Sequence, residues 1–145
     1  MSGEGKLSRT AAIVSTGMYV PPRVMTNADL AKLVETSDEW IVTRTGIRER
    51  RIAAPEQATS DLAAEASKQA LERAGIAPTD VDLIILATLS PDTITPSSAC
   101  VMQAKIGASR AAALDISAAC SGFVYGLSLA RGAIVSGEAG TVLLV

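Results

Sequence analysis

The chain is predicted to be an α/β protein, a mostly parallel sheet with helices on both faces. Short apolar runs alternate with longer stretches whose apolar residues recur at three- and four-residue steps, in the order strand, helices, strand, helix, strand, helix, strand. Such alternation implies right-handed crossovers, which place helices on either side of the sheet. The composition agrees with a packed domain, since 48% of the 145 residues are hydrophobic and 19% are charged. Alanine is the commonest residue and the aromatics are one Trp, two Tyr and one Phe, so the layers can approach closely.

Thr10 to Thr16 is short and apolar-rich and runs into Gly17 and the pair Pro21-Pro22, which predicts a first strand. A helix is predicted from Thr26 or Asn27. A second starts near Thr36, where Thr36-Ser37-Asp38-Glu39 has capping-box spacing, and stops at Gly46, with Trp40 in its first turn. From Ser60 to Ala74, residues Leu62, Ala63, Ala66, Ala70, Leu71 and Ala74 line one helical face. Gly75 ends this helix, and a left-handed Gly75 would make Leu71 and Ile76 the hydrophobic pair of a Schellman ending. Asp82 to Leu89 is almost continuously apolar, as in a strand covered on both faces. Pro96, preceded by Thr95, opens a helix that runs to about Ile106 and stops at Gly107. Ala111 to Ser117 is a third strand. Ser121 to Val135 is apolar all round, which predicts a helix buried in the middle of the protein. Thr141 to Val145 reads as a fourth strand without a following turn or polar tail, which predicts more polypeptide or a second chain along that edge.

The charge balance, Lys+Arg 13 against Asp+Glu 15, argues against a cationic binder of nucleic acid or anionic membrane. Histidine is absent, so a Ser-His-Asp triad, a Cys-His pair and a His-ligated zinc are all excluded within these residues. Two cysteines, Cys100 and Cys120, are too few for a disulfide framework or a Cys-only metal site. The polar start and the short apolar run Leu83 to Leu89 resemble neither a secretory signal nor a membrane span. These features predict a cytoplasmic protein with no metal, no nucleic-acid partner and no membrane contact. Phosphate-binding glycine motifs are missing as well.

The stretch Asp115-Ile-Ser-Ala-Ala-Cys120-Ser-Gly-Phe-Val-Tyr-Gly126 carries the clearest chemistry. It sets a thiol where a strand feeds the N-terminus of a helix, with Ala118, Ala119, Ser121 and Gly122 leaving room for a substrate. Helix N–H groups and the positive end of the helix favour negative charge on the Cys120 sulfur. Cys120 could equally be a small buried residue, and Cys100, inside a helix, reads as core filler. Thr36, Trp40 and Arg44 are spaced by four, so one helix would align them, and indole and guanidinium both stack on a base. They could also be a cap, a core anchor and a solvated charge. Arg44, Arg48, Arg50 and Arg51 make a local basic cluster, either a solvated turn or an attractor of phosphates or an acidic partner.

Two motifs, Thr36-Ser-Asp-Glu-Trp-Ile-Val-Thr-Arg-Thr-Gly-Ile-Arg-Glu-Arg50 and Asp115-Ile-Ser-Ala-Ala-Cys-Ser-Gly-Phe123, identify a resemblance. From about Ile13 to Val145 the chain resembles the N-terminal half of β-ketoacyl-acyl carrier protein synthase III, the condensing enzymes that start bacterial fatty-acid synthesis. The resemblance implies a thiolase-like fold of two similar halves, with residues 1–145 the first, and a homodimer. It implies that Cys120 is acylated by an acyl-CoA starter and that malonyl-acyl carrier protein then condenses with the acyl group. No resident cofactor is implied, because coenzyme A enters as substrate. Trp40 and Arg44 would sandwich its adenine with Thr36 nearby, and Leu89 and Thr95 would line the acyl pocket, Thr95 from across the dimer interface. Some relatives carry a bulky aromatic in place of Thr95, so the threonine hints at starters longer than acetyl. The family's catalytic His and Asn belong to the second half and have no counterpart here. A starter-unit ketosynthase of a polyketide or quinolone pathway shares both motifs, and a non-catalytic dimerisation half is the alternative from another class.

Overall fold

The computed structural model describes residues 9–145, in the order β1 (Arg23–Thr26), α1 (Asn27–Leu30), α2 (Asp38–Thr45), β2 (Glu49–Ile52), α3 (Thr59–Ala74), β3 (Leu83–Ala87), α4 (Ser98–Ile106), β4 (Ala112–Ile116), α5 (Gly122–Ser136) and β5 (Val142–Leu144). They divide into two compact units. One joins the segment ending at Tyr19 to Ala58–Val145, and the other is Val20–Gln57.

The first unit is a parallel sheet in the order β4-β3-β5, with Leu83 opposite both Ala112 and Val142. Alternation along the strands assigns its two faces. Ile84, Leu86 and Leu143 join Ala63, Ala64 and Leu71 of α3 and Ala99, Met102 and Ile106 of α4 in one buried cluster. The opposite face meets α5, where Gly122 lies against Ala87 and Gly126 against Leu144. A Cβ on Gly126 would come within 2.3 Å of the Leu144 Cδ1, so any larger residue requires the Leu144 side chain to shift. The predicted α/β class with helices on both faces therefore stands. Asp82 holds the starts of two strands together by accepting from the Gly140 and Thr141 N–H groups at 2.8 and 3.0 Å. Those bonds keep its carboxyl below the usual value, against a smaller opposing push from burial.

α3 ends as its sequence predicts. Gly75 takes φ 66, Ile76 N–H donates to the Leu71 carbonyl at 3.1 Å and Gly75 N–H to that of Glu72 at 3.1 Å, the two bonds of a Schellman ending.

Several boundaries differ from the sequence reading. Thr10 to Thr16 forms no strand; the segment lies on α3, with Gly17 so close that a Cβ would meet the Ala66 carbonyl oxygen at 2.2 Å. Its backbone bonds to side chains instead, the Thr16 carbonyl accepting from Arg73 at 2.9 Å and Met18 N–H donating to Gln69 at 3.0 Å. α4 begins at Ser98, capped by Ser97, so Pro96 belongs to the preceding loop. The Thr36–Glu39 box does not form, because Ser37 caps α2 through the Trp40 N–H at 3.1 Å. The antiparallel pair of β1 and β2 escaped the sequence reading, since its charged residues show little apolar alternation.

α5 departs furthest from expectation. Gly122, Gly126 and Ala130, spaced by four, are its buried residues, while Phe123, Val124, Tyr125 and Leu129 are more than half exposed. Small residues let one face sit directly on the sheet; nothing among the described residues covers the other. The helical stretch Ala119–Ser136, 18 residues at mean hydropathy 1.2, is also long and apolar enough by length and composition to cross a membrane. The run Leu83 to Leu89 is thus not the longest relevant one. Gly and Ser interrupt the helix in sequence without lowering its mean hydropathy below that of a span.

Candidate active site

β3 and β4 run parallel and end together, with Ala87 paired to Ile116 and the Thr88 N–H donating to the Ile116 carbonyl at 3.1 Å. The carboxyl ends of neighbouring parallel strands are where open α/β sheets place their ligands. From that edge the chain leaves β4 through Ser117 and Ala118, makes one tight 3-10 turn over Ala119–Ser121 and enters α5. Cys120 occupies this turn and is exposed. No side chain caps α5, so the first N–H groups of the helix have no side-chain partner there. Ala119 is held at φ 46, a left-handed conformation that costs an alanine about 1–2 kcal/mol. A strained residue next to an exposed thiol is the kind of local cost that folds retain at reactive turns. Cys100 is half-buried in α4, its Sγ 3.3 Å from the Ser97 hydroxyl and 3.8 Å from the Ala113 carbonyl, in keeping with packing.

Leu89 and Thr95 lie on the 88–97 loop that leaves the same end of β3, and both are exposed. Leu89, two residues past β3, therefore shares a sheet edge with the Cys120 turn, while Thr95 lies further along the loop, three residues before α4. The loop is tied down at Ser90, whose carbonyl accepts from the Thr59 hydroxyl at 2.5 Å, and at Asp92, which accepts from the Ser60 N–H at 2.9 Å and from the Ser60 hydroxyl.

In the second unit, Trp40 and Arg44 fall one turn apart on α2, and the guanidinium carbon lies 4.4 Å from the indole centroid. A base sandwiched between them would need about 7 Å, two contacts of about 3.5 Å each. Here Arg44 covers one ring face, so a ligand either uses the other face or displaces the guanidinium. Thr36 precedes the helix rather than sharing its face, yet it borders the same open cleft, ≈ 650 Å³, with Val34, Glu35, Ser37, Trp40 and Arg50. The basic cluster is partly committed to internal bonds. Arg50 donates to the Asn27 side-chain oxygen, and Arg51 pairs loosely with Glu49 at 3.6 Å.

Two polar hubs were missed by sequence reasoning. Asn27, 1% exposed, donates to Asp38 at 2.7 Å and to the Ile47 carbonyl at 2.8 Å, which ties α1 to α2 and the start of β2. Asp115, noticed only as part of the cysteine motif, accepts from the Ser98 and Ala99 N–H groups at 2.9 and 2.7 Å and so caps α4. An acidic residue inside an apolar strand is the signal that could have found it. Among the described residues no cluster of three or more His, Cys, Asp or Glu is placed to hold a metal.

Residues 114–145 match the family model of 3-oxoacyl-[acyl-carrier-protein] synthase III. A curated relative from Caldanaerobacter subterraneus, a β-ketoacyl-[acyl-carrier-protein] synthase III, is 58% identical over 93% of this chain and 41% of its own length. The crystal structure of 3-oxoacyl-[acyl-carrier-protein] synthase III from Aquifex aeolicus superposes with TM-score 0.87 at 54% identity, over 91% of this chain and 42% of that one. The priming β-ketosynthase of the R1128 polyketide pathway gives TM-score 0.87 at 36% identity, over 95% and 42%. The chain thus spans about two-fifths of the length of these relatives, and the thiolase-like arrangement of its sheet and helices is theirs. Over the two-fifths of their length that it spans, the chain is similar in sequence and fold to the β-ketoacyl-acyl carrier protein synthases III.

Proposed function

We propose that the protein containing these residues is an acyltransferase that starts fatty-acid synthesis by decarboxylative condensation, with Cys120 as covalent nucleophile. The observation that carries this reading is the exposed Cys120 in a strained turn between the carboxyl end of a parallel strand and the uncapped start of α5. In the first half-reaction the Cys120 sulfur attacks the carbonyl carbon of acyl-CoA. A new carbon–sulfur bond forms, the bond to the coenzyme A sulfur breaks, and the coenzyme leaves as its thiol carrying the proton lost from Cys120. N–H groups at the helix start are suited to the oxyanion that develops on the carbonyl.

In the second half-reaction malonyl-acyl carrier protein loses carbon dioxide. The carbanion left behind attacks the acyl-cysteine carbonyl, forming the carbon–carbon bond and returning the Cys120 thiolate. Decarboxylation calls for further donors, a His and an Asn by the family resemblance; the chain holds no His, and its one Asn, Asn27, is buried and bonded to Asp38 and the Ile47 carbonyl. Thr36, Trp40 and Arg44 are proposed to hold the adenine end of coenzyme A, and Leu89 and Thr95 to border the acyl chain. We place the complete enzyme in the cytoplasm as a homodimer, with no resident cofactor. Relatives at 58% and 54% identity named for the fatty-acid enzyme support this over the polyketide priming reading, whose representative is 36% identical.

The test is intact-mass analysis of the complete enzyme after exposure to acetyl-CoA. One acetyl group per Cys120 is expected, and none in Cys120→Ala. An adduct that survives in Cys120→Ala overturns the assignment. A panel of starter thioesters then separates fatty-acid from polyketide priming by the starter preferred.

A further inference from the structure

A chain of part-buried hydrogen bonds, centred on two buried serines, lies behind the 88–97 loop. Asp92 accepts from the Ser60 N–H at 2.9 Å and from the Ser60 hydroxyl, and its own N–H donates to the Ser98 hydroxyl at 2.7 Å. Ser60 and Ser98 are 0% exposed. Ser98 N–H passes the chain to Asp115 at 2.9 Å, and Asp115 sits on β4, five residues before Cys120. At the other end Lys105 donates to the Ser60 hydroxyl at 2.6 Å and to Asp61 at 2.6 Å. One connected path thus runs from α3 through the loop and the start of α4 to the strand that delivers the cysteine. Such a network favours a single arrangement, because displacing it leaves the buried Ser60 and Ser98 without partners.

We infer that Asp92 is a positioning residue for the proposed reaction: it sets the 88–97 loop, and with it Leu89 beside the Cys120 turn and Thr95 at the proposed dimer interface, and so tunes which acyl chains reach the sulfur. The inference rests on the reading of Cys120 as the acylated residue. Leu89 and Thr95 lie three residues either side of Asp92, and the loop between Ser90 and Thr95 has its tip, Ile94, 95% exposed. Asp92, together with the Ser90 carbonyl bonded to Thr59, ties this otherwise exposed loop to the core, and Asp92 is the tie that reaches both α3 and α4. Burial pushes the Asp92 carboxyl up, but the Ser60 and Ser98 bonds and the nearby charge of Lys105 outweigh it and hold it below the usual value. A carboxylate therefore faces the two serines at neutral pH, and an asparagine would turn at least one donor toward donors.

The experiment compares Asp92→Asn, Ser60→Ala and Asp82→Asn in the complete enzyme. Acylation rates of Cys120 are measured by intact mass with acetyl-, butyryl- and octanoyl-CoA. Asp82→Asn is the control, since it weakens the bonds to the Gly140 and Thr141 N–H groups at the start of β3 and touches no member of the network. Asp92→Asn is expected to change the ratio of long-chain to acetyl rates about tenfold, and Ser60→Ala in the same direction by less. Asp82→Asn is expected to lower thermal stability with the ratio unchanged. An unchanged ratio in Asp92→Asn, or an equal change in Asp82→Asn, overturns the inference while leaving an acylated wild type to support Cys120. A wild type that takes no acyl group from any of the three thioesters overturns both.

Discussion

Trp40 and Cys120 illustrate how differently single residues depend on their setting. Trp40 offers a flat exposed ring already paired with a cation, so what it can present to a ligand is stacking area. Trp40→Ala in the complete enzyme is expected to raise KM for acyl-CoA about tenfold or more, since base stacking is worth about 1–3 kcal/mol, with a smaller effect on kcat. Steady-state kinetics check this, and an unchanged KM removes Trp40 from the coenzyme site. Gly126 is the opposite case, with no chemistry and no spare space. Gly126→Val is expected to destabilise the unit by about 1–3 kcal/mol, because the added carbons must displace the Leu144 side chain from its place against α5. A thermal melt within a degree of wild type would show that the sheet and α5 can part at little cost. The cysteine motif was legible because thiol, small neighbours and helix start are all local. The Asp92 and Asp115 network was not, because its partners come from residues 60, 98 and 99, which no short-range pattern links.

Elements were legible wherever their signals are local. α3 and α4 stop at the predicted glycines, and β3 is covered on both faces as its apolar run requires. Starts were harder, because neighbouring hydroxyls compete for the same N–H. Thr36 and Ser37 are both suitable caps for α2, and tertiary placement chose Ser37. Ser37→Ala is therefore expected to cost about 1 kcal/mol and Thr36→Ala much less, as chemical unfolding would report. Equal losses would return the cap to Thr36. Strand starts carry a pH signature. The folded Asp82 carboxyl lies below its unfolded value near 3.8, through its bonds to the Thr141 and Gly140 N–H groups. Its stabilisation is then present in full above the unfolded value and lost as pH falls through the folded one. Asp82→Asn is expected to melt earlier than wild type at pH 7, with the gap closing between about pH 5 and pH 2. A gap that persists at low pH would place the loss in packing instead.

At the scale of the whole molecule, the parallel α/β class was legible from alternation alone, whereas the environment of α5 was not. Hydropathy records that its surface is apolar but not what lies against it, and here the described residues cover a single narrow face. Phe123, Val124, Tyr125 and Leu129 form an apolar surface of the kind that drives association. Expressed as these 145 residues alone, the chain is expected to bind an apolar dye and self-associate, and Val124→Lys with Leu129→Glu to suppress both. Sedimentation of a well-behaved monomer without dye binding would count against that exposure.

The turn at Ala119 carries an implication for how such a protein changes over time. Glycine tolerates φ 46 freely, so Ala119→Gly removes a local penalty that roughly offsets the backbone entropy glycine adds, and the variant should melt no lower than wild type. The same change loosens the bearing of the sulfur beside it. Selection for heat tolerance alone would thus tolerate glycine at this position while leaving the thiol less firmly held.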